Sequence, residues 1–197
     1  MIEKLRKKHI VLCTSRSYDE VAKLAKIRNF DLVYVGKHGG KEKYGKLEAS
    51  ISRTKKLSVV IDKFAPELAI SFCSPEAARV SFGMGIQHIA FCDSPHANAV
   101  MKLTMPLIQK LLIPWIIPKK EFSKYGIDIK NIISYRAIDA FVTIKRNVNQ
   151  KDSLPFKNNQ KKNILIRVEE EQASYTQKSR IIIAIINEMT SRPLLQK

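Results

Sequence analysis

Strand-like and helix-like segments alternate along this chain from residue 9 to residue 136, and that alternation restricts the fold more than any other feature. The runs HIVLCTS (9–15), DLVYV (31–35), LAISFC (68–73), HIAFC (88–92), LLIPW (111–115) and NIISYR (131–136) are short and rich in branched apolar residues. Between them lie YDEVAKLAKIRN, the long YGKLEASISRTKKLSVVIDKFA, PEAARVSFGMG, PHANAVMKLTM and KKEFSKYG, all with helical patterning. The strands show little polar–apolar alternation, as expected where both faces of a sheet are covered. Strand and helix in strict turn specify βα units, a parallel sheet and right-handed crossovers. The expectation is an α/β fold with a Rossmann-like open parallel sheet.

The two ends qualify that picture. IEKLRKK (2–8) reads as the last turns of a helix, yet no strand precedes it, so the sheet is expected to lack its first strand. The Rossmann-like domain is placed at 1–145, followed by a polar linker, RNVNQKDSLPFKNNQKK (146–162). Residues 163–197 hold one strand, NILIRV, one loop, EEEQASY, and one helix, QKSRIIIAIINEMTS. A single strand–helix unit cannot bury its own faces, so this stretch reads as the incomplete start of a second Rossmann-like domain.

Composition narrows the class of partner. The chain of 197 residues is 45% hydrophobic, enough for a core without disulfide staples. Its 3 cysteines are odd in number and form no CxxC pair, which points to a reducing compartment. MIEKLRKKH has no apolar stretch of signal-peptide type, and LLIPWIIP is too short and proline-broken to span a bilayer. A cytoplasmic protein without an integral membrane segment is expected. A formal charge of +17 favours phosphate-bearing partners, including nucleic acid. The basic residues are spread through the chain, however, and no zinc knuckle, basic zipper or RNP-type motif accompanies them.

One phrase occurs twice. SFCSPEA (71–77) and AFCDSPHA (90–97) each end an apolar run in Phe-Cys and continue through Ser-Pro to an ionisable residue and alanine. Both fall at the carboxyl edge of a parallel sheet, where open α/β folds bind ligands. Ser74 and Ser94 are natural N-caps with proline at the first helical position, so the phrase is in part a helix-start signal. Glu76 in a first turn also suits the helix dipole. His96, in the same place, is held towards its neutral form, and beside Asp93 it has the character of a general base or a hydroxyl-binding group. The loop VGKHGGKEKYGK (35–46) adds His38 with Gly39 and Gly40, which permit close approach of a ligand, but it is no P-loop. Cys13, Cys73 and Cys92 lie at strand ends with no zinc spacing and read as buried packing, so no metal is expected.

VGKHGG, SPEAARVSFGMGI, IAFCDSPHA and RVEEEQASY together resemble a mainly archaeal family, domain-of-unknown-function family 354, grouped with GT-B-fold glycosyltransferases and UDP-N-acetylglucosamine 2-epimerases. The resemblance covers nearly the whole chain. It implies two Rossmann-like domains flanking a ligand cleft, with the absent strand lying in the sheet between HIVLCTS and LAISFC. It also implies that this chain holds only part of the nucleotide-binding domain. By motif match, the cleft candidates are His38, Gly39, Gly40, Ser74, Glu76, Asp93, His96, Glu170 and Tyr175, with Ser94 beside them. The expected function is a GT-B-like protein using a nucleotide-sugar and an acceptor, with no separate cofactor. His96 or Asp93 would act as base and Glu76 as a third catalytic candidate, while Glu170 and Tyr175 close the cleft. The alternative is a basic protein that binds nucleic acid or another polyanion without catalysis.

Overall fold

A computed structural model describes residues 2–27 and 29–138, together with Phe141 and Glu188. The chain divides into two compact units, Met1–Thr143 and Ile144–Lys197. Of the second unit only Glu188, helical and exposed, is described. The predicted linker, the strand at 163–168, and Glu170 and Tyr175 lie outside the described residues.

The first unit runs α1 (Ile2–Leu5), β1 (Thr14–Ser17), α2 (Asp19–Ile27), β2 (Val33–Lys37), α3 (Lys43–Phe64), β3 (Leu68–Ser71), α4 (Pro75–Gly83), β4 (Gln87–Phe91), α5 (Asn98–Thr104), β5 (Lys110–Pro114), α6 (Lys120–Ser123) and β6 (Ile132–Tyr135). Every strand pairing is parallel, as the βα alternation requires. The strands form two sheets instead of one, β1-β2 and β3-β4-β5-β6. Among the described residues β1 pairs only with β2 and β3 only with β4. The break falls between β1 and β3. It also accounts for a shortened β1. With a neighbour on one edge only, the apolar run Ile10–Leu12 stays outside the ladder, and Ile10 is 90% exposed.

Alternate residues of the larger sheet, Ala90, Leu111, Ile113 and Ile132, are buried in a core with Cys73, Cys92, Ala78, Met101, Met105 and Phe122. The other face is covered only in part by described residues: Leu68, Ile70 and Ile133 are 45%, 38% and 44% exposed. A second cluster, Val35, Leu57, Ile61 and Val80, joins β2, α3 and α4. The long α3 ends on Ala65, whose left-handed φ of 48° lets its N–H bond Ile61 O at 2.8 Å ahead of Pro66.

His88 is the polar exception inside the sheet. It is fully buried, its Nε2 lies 2.9 Å from Ser71 Oγ, and Nδ1 has no hydrogen-bond partner. Burial pushes it from 6.5 down to about 4. The unfolded chain therefore takes up a proton near 6.5 that the folded chain refuses until about 4, so stability falls as pH drops through that window. Urea midpoints measured across it are expected to decline in the native chain and to flatten in His88→Gln.

Candidate functional site

The ladder Leu68↔Gln87 to Ser71↔Ala90 makes β3 and β4 neighbours, so the two Phe-Cys phrases leave the sheet at one edge. At their bases Cys73 and Cys92 are free thiols that act on each other by hydrogen bonding. Cys73 donates and is pushed upward by that bond and by burial. Cys92 accepts, also from the Ser94 N–H at 3.5 Å, and is held below the usual thiol range against the opposing effect of burial. Cys73 has a left-handed φ of 44°, which turns the chain out of the strand toward α4.

The first phrase folds as its sequence dictates. Ser74 caps α4, its Oγ accepting from Ala77 N–H at 3.3 Å, with Pro75 at the first helical position. Glu76 is more than a residue favourable to the dipole. It is 3% exposed, and its Oε1 accepts from Arg16 at 2.5 Å and from Ser50 Oγ at 2.8 Å. Ser74 Oγ donates to Oε2 at 3.2 Å. Burial opposes its ionisation, but the Ser50 hydrogen bond and the Arg16 charge prevail and hold the carboxyl below the ordinary glutamate range.

The second phrase departs from the first. The extra Asp93 between cysteine and serine takes the Ser94 hydroxyl, which donates to Asp93 Oδ1 at 2.7 Å and so does not cap a helix. The chain makes turns instead, Ala97 N–H to Ser94 O at 3.2 Å and Asn98 N–H to His96 O at 2.8 Å. The helix α5 begins only at Asn98, and Ala97 at its N-cap offers no side-chain bond. His96 is therefore not in a helical first turn, and the dipole argument for its neutrality loses its premise. Asp93 and His96 are both exposed on this rim. Tyr125 Oη, 3.2 Å from Pro95 O and 2.5 Å from Asn98 Oδ1, ties the loop down.

The glycine loop turns toward the first phrase. A Cβ on Gly39 would fall 2.3 Å from Gly45 O, so the loop backbone lies directly on the start of α3, and Gly40 takes a φ of 74°. Gly40 N–H donates to His38 Nδ1 at 3.1 Å, which leaves Nε2 to carry the proton of the neutral ring. The His38 ring sits 5.8 Å from that of Tyr18. Tyr18 in turn lies in the electrostatic surroundings of Arg53, along with Glu76 and Arg16. Arg53 is 8% exposed and its Nε has no hydrogen-bond partner.

The ends of β1, β2 and β3 thus meet around Glu76, with Asp93, Ser94 and His96 on the adjoining turn. Arg16, Ser50 and Arg53 were missed by the sequence reading. Arg53 had a legible signal: at positions 53, 57 and 61 it shares one helix face with Leu57 and Ile61, all three buried. Among the described residues no group of three or more His, Cys, Asp or Glu side chains is placed to hold a metal, and no helix is long and apolar enough to cross a membrane.

The family profile described as "Protein of unknown function (DUF354)" matches residues 1–193. An uncharacterised protein of Methanocaldococcus jannaschii is 35% identical over 136 residues, which cover 68% of this chain and 39% of that protein. The chain thus spans well under half the length of the curated relative it matches.

Proposed function

The chain belongs to the DUF354 family, and on that premise we propose that it is a GT-B-like protein acting on a nucleotide-activated sugar, as a glycosyltransferase or a sugar-nucleotide epimerase. The observation that carries this reading is the convergence at one sheet edge. Sequence order runs from β1 to β2 in one sheet and from β3 to β6 in the other, the Arg16–Glu76 pair bridges the two, and we read that junction as the point where strand order would reverse. Open α/β folds place their ligands at such a switch point.

Roles follow from exposure and charge. Asp93 and His96 reach solvent on the rim and are the groups able to take a proton from an acceptor hydroxyl. Glu76 is buried, ion-paired and held ionised, which suits a residue that positions Arg16 better than one that shuttles protons. His38, Gly39, Gly40, Ser74 and Ser94 frame the ligand, and Glu170 and Tyr175 keep the cleft-closing assignment that the family resemblance implies.

The competing reading, a polyanion binder, rests on the charge of +17. One experiment separates them. The chain and its Methanocaldococcus relative are incubated with a panel of nucleoside-diphosphate sugars, and released nucleotide or altered sugar is measured. Turnover that drops by about a hundredfold in Asp93→Asn or His96→Ala supports the sugar reading. No product with any donor, combined with nucleic-acid retention that collapses between low and moderate salt, supports the alternative.

A further inference from the structure

We infer that Arg16 and Arg53 form an oxyanion-binding subsite, built to take a phosphate or carboxylate group of a small molecule at the edge where β1 and β3 end. Arg53 carries the case. It stands on the buried stripe of α3, one turn before Leu57, and is 8% exposed. Its Nε is buried and has no hydrogen-bond partner. Withdrawing a guanidinium from water costs several kcal/mol unless charge and hydrogen bonds are returned to it.

Among the described residues the one carboxylate acting on Arg53 is Glu76, and it is already occupied. Glu76 Oε1 serves Arg16 and Ser50, and Oε2 serves Ser74. Two guanidiniums against one carboxylate leave the cluster with one uncompensated positive charge, and Arg16 adds repulsion to Arg53 instead of relief. The placement is also built. A Cβ on Gly36, whose φ is 79°, would lie 3.0 Å from Arg53 Cβ and 3.1 Å from Cγ, so glycine both suits that backbone and leaves the arginine stem uncrowded. The first turn of the nine-residue α4 contributes its positive end beside Glu76. The Arg16 side chain is 23% exposed and opens the pair to solvent. The planar fork of arginine matches a phosphate or carboxylate through paired hydrogen bonds, a fit that lysine does not reproduce.

The subsite deepens the proposed function, where the oxyanion would belong to the substrate, but its test involves no sugar transfer. Binding of inorganic phosphate and, separately, of glucuronate is measured by calorimetry with the 197-residue chain at fixed ionic strength. One of the two is expected to bind, and which one assigns the source of the oxyanion. Arg53→Met and Arg53→Lys should each weaken it by about tenfold or more. Lys55→Met, which removes an exposed charge from the same helix, should leave it unchanged. Arg53→Met should also fold at least as stably as the native chain without ligand, because it removes an unpaired buried charge. If neither anion binds, or if Lys55→Met weakens binding as far as the Arg53 variants do, the inference is overturned. Should Arg53→Met fail to fold, Arg53→Lys decides the matter. Phosphate binding with no nucleoside-diphosphate sugar turned over would leave the subsite standing and remove the sugar reading.

Discussion

Glu76→Ala is expected to lose about 3–5 kcal/mol of folding stability, the penalty for stripping the partner from a buried ion pair. The carboxylate is 3% exposed and ties together three elements: Arg16 from β1, Ser50 from α3, and α4 itself with its cap Ser74. Its removal leaves Arg16 and Arg53 without the carboxylate they share among the described residues. Glu76→Gln keeps the shape but not the charge and should recover only a minor part of the loss. Replacing both partners, as Arg16→Met with Glu76→Leu, should cost less than Glu76→Ala alone, because Arg53 is then the one guanidinium of the cluster left without its carboxylate instead of two that repel each other. The pH dependence has a definite sign. The folded carboxyl ionises below its unfolded value of 4.5, so its contribution is present above that value and is lost as pH falls toward the folded one. The His88 contribution disappears earlier, between 6.5 and about 4. Glu76→Gln should therefore abolish the lower acid transition and leave the upper one in place. Urea unfolding from pH 7 to pH 3 checks this, and an unchanged lower transition in Glu76→Gln would refute the assignment.

What the sequence made legible follows from how local each determinant is. The strands at 68–73, 88–92, 111–115 and 131–136 were predicted close to β3, β4, β5 and β6 because their alternate residues are buried against α4 and α5, which the chain itself supplies. HIVLCTS was placed too early. Its apolar residues argue for a strand with partners on both edges, whereas β1 has only β2, and the ladder forms where β2 can reach it, from Thr14. Ser74 was read correctly as a cap because capping needs only the next three residues. Ser94 was not, since one inserted aspartate redirects its hydroxyl, and pattern matching treats CSP and CDSP as the same word. The pairing of Arg16 with Glu76 spans 60 residues and is invisible to any local rule. Arg53 is the instructive miss. A charge in the middle of an apolar helical stripe contradicts the pattern around it, and such contradictions tend to mark functional positions.

Leu57→Ala is expected to cost about 2–5 kcal/mol, and its effect should be uneven across the first unit. Leu57 is 2% exposed and sits with Val35 of β2, Ile61 of α3 and Val80 of α4. The two sheets share no strand ladder among the described residues, so their joint rests on α3, which packs against β2 on one side and α4 on the other. Truncating Leu57 opens a cavity at that joint, while the larger sheet keeps its own core around Leu111, Ile113 and Phe122. Amides of β1 and β2 should then exchange with solvent well before those of β4 and β5, turning one cooperative transition into two. Leu57→Met, which nearly conserves volume, should cost less than about 1.5 kcal/mol and preserve cooperativity. Leu103→Ala on α5, at a side chain 58% exposed, should stay within about 0.5 kcal/mol. Arg53 lies one turn from Leu57, so the same cavity loosens the oxyanion subsite, and affinity for whichever of the two anions binds there should fall in Leu57→Ala but not in Leu103→Ala. Uniform loss of amide protection across all six strands in Leu57→Ala would show that the sheets are held together by something other than this cluster.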